Sequence, residues 1–379
     1  MNLDLFIEAL PPTLQLDYGA RAEEAGFRAA WFPEITFGDA FGPATGVALR
    51  TSRLDVGTGV VGIWSRSPVT MALQAATLNE LAGGRLILGL GLQARGYVEG
   101  WHGRTYERPV RAMREYVTIL RRLLAGEPVA FEGEIFSVRN FQLTMQPPER
   151  PARIYLAAIG PQMLRLAGEL ADGVLGYCYS LAYVRDVVLP SLRAGAERAG
   201  RSLDGFDVAC GFPALVHERG LELIRGQALM FATAGGSSPE YEKSFAAAGF
   251  GDEVREIQAL FDAGDVPGAL AVVTEEMADA VTIAGTQQHV RHRIEAYRAA
   301  GLSAVGLNPA PPGVYFPPYE GVPVVRREAL ERHPELRGVL GALAGRVSEA
   351  EMRRMNYAVD GEHRDVAQVV REFRRDKGL

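Results

Sequence analysis

The chain has almost no cysteine. Cys178 and Cys210 are the only two in 379 residues, so no disulfide framework supports the fold, and neither stands in the CxxC or Cys/His grouping that holds a structural zinc. A surplus of one charge is missing too: 40 Lys and Arg against 46 Asp and Glu leave a formal −6. Basic residues cluster only near the end, at Arg353-Arg354 and from Arg371 to Lys377, runs that read as solvated helix faces and argue against nucleic acid as a partner. No apolar run reaches the length of a membrane span, and MNLDLFIEAL has neither the positive n-region nor the cleavage site of a signal peptide. The expectation is a cytoplasmic protein with no membrane partner.

What the chain does have, at 47% hydrophobic, is short apolar runs alternating with helical spacing. The runs are Leu3 to Ile7, Ala29 to Phe32, Leu54 to Val60, Leu86 to Leu90, Ile154 to Ala158, Val174 to Cys178, Asp207 to Gly211 and Ala304 to Leu307. Eight strands separated by helices predict parallel βαβ units closed into a (β/α)₈ TIM barrel, with an open doubly wound sheet as the competing topology. One grammar recurs: a helix ending in Ala-Gly or Asp-Gly and then a short strand, in EEAGFRAAWF (Glu23 to Phe32), GELADGVLGY (Gly168 to Tyr177) and YRAAGLSAVGL (Tyr297 to Leu307).

Three segments depart from the alternation. PVAFEGEIFSV (Pro128 to Val138) reads as an inserted hairpin. About ninety residues between the seventh and eighth strands read as a long helical insertion, broken at Gly235 to Pro239 and covering the barrel mouth. From Pro309 a Pro-rich connector leads to a helical tail with a capping box at Ser348-Glu349-Ala350-Glu351 and a last helix from Val366 to Asp376, capped by Asp365. The expected domains are a barrel over 1–308 and an appendage over 309–379.

Barrel chemistry sits where strands end at their C-terminal side. The second strand ends at Phe32-Pro33-Glu34, the third at Gly59 to Gly62, the fourth at Gly89 to Gln93, the fifth at Ala158 to Pro161 and the sixth at Tyr177 to Tyr179. They hold no Ser/His/Asp set, no carboxylate pair and no metal cluster, which argues against hydrolysis and metal-assisted chemistry. Glycine and aliphatic side chains suit a large flat cofactor that carries the reaction itself. Gly160-Pro161-Gln162-Met163 opens a helix with Pro in its first turn: either an anion site for a cofactor phosphate or a turn set by sterics. Gly89 and Gly91 either let a ligand approach the backbone or allow close packing. Glu34 either exchanges a proton or hydrogen bond with a bound ring, or caps a turn. His102, beside Trp101, and Cys178 are pocket candidates whose alternatives are a surface loop and a buried small hydrophobe.

Three blocks carry a family resemblance: LDVGTGVVGIWSRSPVTMALQAATLNELAGGRLILGLG (Leu54 to Gly91), RPARIYLAAIGPQMLRLAGELADGVL (Arg150 to Leu175) and GTQQHVRHRIEAYRAAGLSAVGL (Gly285 to Leu307). Over residues 1 to about 308 the chain resembles the bacterial luciferase-like superfamily of flavin and deazaflavin oxidoreductases, most closely the coenzyme F420 branch that includes methylenetetrahydromethanopterin reductase. The resemblance implies a barrel, usually a homodimer, that passes a hydride between C5 of F420 and a small-molecule substrate. It implies a bulge with a non-proline cis peptide at Gly59-Val60 behind the ring and the cofactor phosphate near Gly160, Pro161, Gln162 and Met163. Gly89, Gly91 and Leu92 would line the other side, Ala158 is a further cofactor-binding position, and Glu34 matches an acidic position at the second strand's end. An FMN-dependent monooxygenase is the alternative on the same fold. Leu92-Gln93-Ala94-Arg95 departs from the family pattern, leaving Gln93, Arg95 and Trp101 as guesses for lining residues. From Pro317 the tail resembles the C-terminal end of glycine-betaine-type solute-binding proteins of ABC transporters, so a betaine-like binding or sensory protein is a further alternative.

Overall fold

Strands form where the apolar runs stand: β1 (Asn2–Phe6), β2 (Ala29–Phe32), β3 (Asp55–Thr58), β4 (Val61–Gly62), β5 (Leu86–Gly91), β6 (Val129–Glu132), β7 (Ser137–Phe141), β8 (Arg153–Ala157), β9 (Gly173–Tyr177), β10 (Asp207–Val216), β11 (Ile283–Gly285) and β12 (Ala304–Pro309). The structure, a computed structural model, describes residues 2–309 apart from 9, 37, 146–147 and 234–239, together with 364 and the helix Val366–Lys377. The Pro-rich connector, the Ser348 to Glu351 capping box, Asp365 and the Gly235 to Pro239 break lie outside the described residues. By its contacts the chain divides into two compact units, Met1–Val314 and Tyr315–Leu379.

In the first unit the sheet runs β10-β12-β1-β2-β3-β5-β8-β9, and β9 pairs back onto β10. Every one of these pairings is parallel, so the eight strands close into the (β/α)₈ barrel. Helices supply the crossovers. Pro68–Leu81 is one of them, with Pro at its first turn and Ser67 accepting a hydrogen bond from the Thr70 N–H. The hairpin is present too, with β6 antiparallel to β7.

Aromatic rings fill the bore. Phe6 stacks on Trp31 at 6.1 Å, meets Tyr177 edge-on at 5.7 Å, and Trp31 leans on Tyr155 at 5.8 Å. Room for them comes from glycine on facing strands: a Cβ on Gly57 would stand 2.4 Å from the Trp31 ring, and one on Gly306 would stand 2.5 Å from Phe6. Each such buried ring contributes about 1.5–3 kcal/mol relative to exposure. Below the rings, where the strands begin, lies a charged layer. Arg28 reaches the fully buried Asp4 through Nε at 2.9 Å and Nη2 at 2.7 Å, and Asp207 through Nη1 at 2.9 Å. Trp31 Nε1 donates to Asp4 at 2.9 Å, Arg153 bonds Asp55 at 2.6 Å, and the Tyr155 hydroxyl donates to Asp207.

Several boundaries differ from expectation. The third strand stops at Thr58 and resumes as β4. The sixth ends at Tyr177 because Cys178 turns into the left-handed region at φ 54°. β10 runs on to Val216, and its extension recruits β11, a three-residue strand inside the segment expected to be mostly helical. So short a run, Ile283 to Gly285, has no periodicity to distinguish it from a linker. The rest of the insertion is helical: Gly220–Ala232, Tyr241–Ala247, Gly251–Asp262, Val266–Val272 and Glu275–Val281. These helices pack their own core, including Ile224, Leu229, Phe245, Ile257 and Met277.

Candidate active site

The break between β3 and β4 faces β5. Gly57 pairs with Ile87 but Val61 with Leu90, so one extra residue is accommodated between them, a β-bulge at the rim of the barrel. The Gly59-Val60 peptide within it is cis. Thr58 Oγ1 donates to the Gly89 carbonyl at 2.8 Å, and the Gly59 N–H donates to Phe32 at 2.8 Å. A Cβ on Gly89 would lie 2.0 Å from the Thr58 carbonyl oxygen, and one on Gly91 2.4 Å from Val60 Cγ2. Of the two readings open for these glycines, close packing is the one the geometry supports: they make space for the bulge.

Glu34 follows β2 and is held by Arg66. Both carboxylate oxygens accept from the guanidinium, at 2.7 and 2.8 Å, and each side chain is mostly buried. Burial pulls the Arg66 guanidinium down, but its hydrogen bond to Glu34 reverses that and the net direction is up. Arg66 also lies over the Phe41 ring at 5.4 Å. With its oxygens engaged in this pair, Glu34 organises the turn after the bulge.

The carboxyl better placed to hold a proton is Glu8, two residues beyond β1, which sequence reasoning missed. Asn308, on β12, donates from one amide nitrogen both to Glu8 and, at 2.7 Å, to the Tyr177 hydroxyl at the end of β9. Burial pushes the Glu8 carboxyl above its ordinary range against the opposing hydrogen bond from Asn308. Burial, with the Glu8 charge next, also raises the Tyr177 phenol well above its ordinary value. The sequence signal is the same as for Glu34: Glu8 too is a carboxylate directly after an apolar run, Leu3 to Ile7.

On the opposite side, Gly160 is the N-cap of the helix Pro161–Leu170 and contributes no side chain to cap it, so the first-turn N–H groups are not served by a cap side chain. The Glu240 carboxylate lies there instead, 2.9 Å from where a Gly160 Cβ would stand. Gln162 is exposed, while Met163 turns its side chain into the core, leaving only its backbone for this end. Ala158 is buried, with its carbonyl accepting from the Tyr179 hydroxyl. After β4 and β5, Trp64 Nε1 and Gln93 Oε1 are buried without a hydrogen-bond partner among the described residues, and so is His102 Nε2. Gln93 folds over Gly62, Arg95 lies over the Tyr106 ring at 4.9 Å, and Leu92 packs against the core. Trp101 is 48% exposed and stacks on Tyr97 at 3.9 Å, whereas Cys178 is sealed into the core of the insertion, its thiol raised well above the ordinary value by burial.

The family model for luciferase-like monooxygenases matches residues 8–304. The chain belongs to that family. Among the relatives of this luciferase-like protein is the 5,10-methylenetetrahydromethanopterin reductase of Archaeoglobus fulgidus, 33% identical over 299 residues that span 77% of this chain and 88% of that protein. The solved structure of the coenzyme F420-dependent tetrahydromethanopterin reductase of Methanopyrus kandleri superposes with a TM-score of 0.71 at 27% identity, covering 82% of this chain and 93% of that one. The oxygenating constituent of 3,6-diketocamphane monooxygenase from Pseudomonas putida, in complex with FMN, shares the fold with a TM-score of 0.61 at 17% identity over 81% of this chain and 91% of that one. A second model, for the substrate-binding domain of the ABC-type glycine betaine transport system, matches residues 257–376. The luciferase-like match runs from just after β1 to the start of β12, and the bulge, Glu8 and the Gly160 helix end all fall within it.

Proposed function

We propose that this enzyme is a coenzyme F420-dependent oxidoreductase acting on a small organic molecule at the C-terminal face of the barrel. The observation that carries the reading is the Glu8–Asn308–Tyr177 group: a carboxyl whose burial favours the protonated form, fixed at the mouth of a barrel whose rim is otherwise glycine, aliphatic and aromatic. Such a group holds a proton beside a reduction or oxidation centre, the task of a general acid or base.

The residues present fit the cofactor. Among the described residues buried Trp64 Nε1 and Gln93 Oε1 have no partner, which a polar ring edge or side chain would supply, and the Gly160 helix end offers N–H groups to a phosphate. Gly59 and Val60 would back the ring, Gly160, Gln162 and Met163 would hold the phosphate through backbone N–H groups with Pro161 shaping the turn, and Leu92 and Gln93 would line the side. Bound there, F420 supplies the hydride donor or acceptor. Asn308 fixes the Glu8 carboxyl, Arg66 and Glu34 hold the turn beyond the bulge, and the insertion core excludes water from the β9 side. This reading includes a cytoplasmic homodimer, with neither nucleic acid nor membrane as partner, and a barrel domain over 1–308 followed by a tail over 309–379.

Quenching of F420 fluorescence on titration with the protein, run beside an FMN titration, tests the proposal. Saturable F420 binding is expected; tight FMN binding with no F420 uptake would instead make it an FMN-dependent monooxygenase. The betaine-type match favours a second reading, a solute-binding protein. Residues 257–309 of that match, however, include β12, which pairs with both β1 and β10 to close the barrel. Calorimetric titration with glycine betaine and choline is accordingly expected to show no binding heat.

A further inference from the structure

Three aromatic rings stand in a row between β9 and the insertion. Tyr177 and Phe231 are 5.3 Å apart, and Phe231 and Tyr241 are 5.0 Å apart. Phe231 lies near the end of the insertion helix Gly220–Ala232, and Tyr241 begins the helix Tyr241–Ala247. That second helix is fastened to the barrel rim. Ser244 Oγ accepts from the Ser180 N–H at 2.7 Å and donates to the Cys178 carbonyl at 2.9 Å, while Ser180 Oγ donates back to the Ser244 carbonyl at 2.8 Å. Tyr241 is therefore held in place relative to the end of β9.

At the inner end of the row the Tyr177 hydroxyl is bonded by Asn308, which also bonds Glu8. At the outer end the Tyr241 hydroxyl hydrogen-bonds nothing among the described residues, yet it is not among the polar atoms sealed from solvent. It is close enough to Glu8 for the carboxylate charge to act on it. A largely buried tyrosine ordinarily finds a partner for its hydroxyl, as Tyr116, Tyr179, Tyr183 and Tyr297 all do in this chain. Packing alone would be served by phenylalanine, as it is at position 231.

We propose that Tyr241 is a substrate-binding residue: its hydroxyl and the Glu8 carboxyl together receive the oxygen or nitrogen acceptor of a flat, conjugated substrate, whose ring lies on the aromatic wall that Tyr241 forms with Phe231 behind it. The inference rests on the oxidoreductase reading of the same face and adds to it the class of substrate and the part played by the insertion. A flat ring gains from stacking on Tyr241, and a polar acceptor on that ring satisfies the phenol and the acid together.

The test compares the full chain with Tyr241→Phe, which keeps the ring and removes only the hydroxyl. Folate serves as the flat probe, carrying carbonyl and ring-nitrogen acceptors; F420 affinity and melting temperature are measured alongside. Folate binding to the F420-loaded protein is expected to weaken about five- to tenfold in the variant, the loss of one hydrogen bond. F420 affinity should stay within about twofold and the melting temperature should be unchanged, whereas a purely structural role would move both. Equal folate affinity in the two proteins overturns the role of Tyr241, as does a fall in F420 affinity that accounts for the change. A wild-type protein that takes up F420 but not folate overturns the flat-ring class. One that takes up no F420 overturns the functional reading itself, a result separate from the other three.

Discussion

At the N-terminal end of the barrel Asp4, Arg28, Asp55, Arg153, Tyr155 and Asp207 bond one another; at the C-terminal end Trp64 Nε1, Gln93 Oε1 and the Tyr241 hydroxyl bond nothing among the described residues. Both ends are largely buried and both carry ionisable groups. The lower end pairs its charges: Arg28 is pulled down by burial, but Asp4 and Asp207 more than reverse this and the guanidinium is raised, and of its two carboxylates Asp207 is held low while burial raises the sealed Asp4 despite its arginine. The upper end leaves Glu8 with an amide as its hydrogen-bond partner, so burial prevails and the carboxyl favours its proton. A satisfied network holds a shape, while an unsatisfied one is ready for a ligand.

The largest expected effect separates the two ends by activity. Glu8→Gln keeps an oxygen that can accept from Asn308 but has no proton to exchange, so turnover should fall about 10²–10⁴-fold while F420 affinity holds. Stability should move the other way. Because Glu8 binds its proton more tightly folded than unfolded, the wild-type protein loses stability as pH rises from the ordinary glutamate value, about 4.3, through the raised value, and the loss persists above it. Below that window both states are protonated and Glu8 contributes no pH dependence. Denaturant melts of the two proteins across this range should diverge with rising pH in favour of Glu8→Gln; parallel curves would remove the raised carboxyl from the account.

Next in size is the reverse experiment. Arg28→Met strands Asp4 and Asp207, and breaking a buried pair in this way costs about 3–5 kcal/mol. Urea unfolding should report that loss, with turnover per folded molecule close to wild type. A variant with intact stability and lost turnover would erase the distinction between the two ends.

How far each end was legible follows from the same contrast. The barrel was readable because Ala29 to Phe32 and Leu86 to Leu90 are unbroken buried runs between helices, and the bulge at Gly59-Val60 came through the family resemblance. β11 was not readable, since three residues have no period, and the charged lower layer was hidden because Arg28 and Asp207 meet only when β2 and β10 close across the bore, 179 positions apart in sequence. Glu34 and Glu8 show the limit of reasoning from position. Both follow apolar strands, but only the folded chain shows that an arginine engages the first and an asparagine the second. Gly89 and Gly91 stood as possible ligand contacts because a sequence cannot show that Thr58 and Val60 press on them from the neighbouring strand.

Those two glycines allow a smaller perturbation of the upper end. Gly89→Ala places a methyl group against the fixed Thr58 carbonyl oxygen, so the backbone of the bulge has to move. Overpacking of this kind costs about 1–3 kcal/mol, and F420 affinity should fall with the melting temperature if the bulge supports the ring. A drop in stability alone would confine these glycines to packing.

The smallest effect concerns a carboxylate lying where an anion is expected. Glu240 lies against Gly160 and pairs with Lys243, and its charge, after burial, helps push the Tyr183 phenol up to about 12. A phosphate approaching the end of Pro161–Leu170 meets that negative charge as well as the positive end of the helix dipole. Glu240→Gln removes the repulsion, worth about 0.3–1 kcal/mol on the scale of charge–helix interactions, and F420 should then bind about two- to fivefold more tightly. Because this end is partly open to solvent, the gain should shrink as salt is raised. F420 titrations of both proteins at low and high ionic strength measure the difference directly. A gain that ignores salt would assign the change to shape rather than charge, and no gain at all would move the cofactor phosphate away from Gly160.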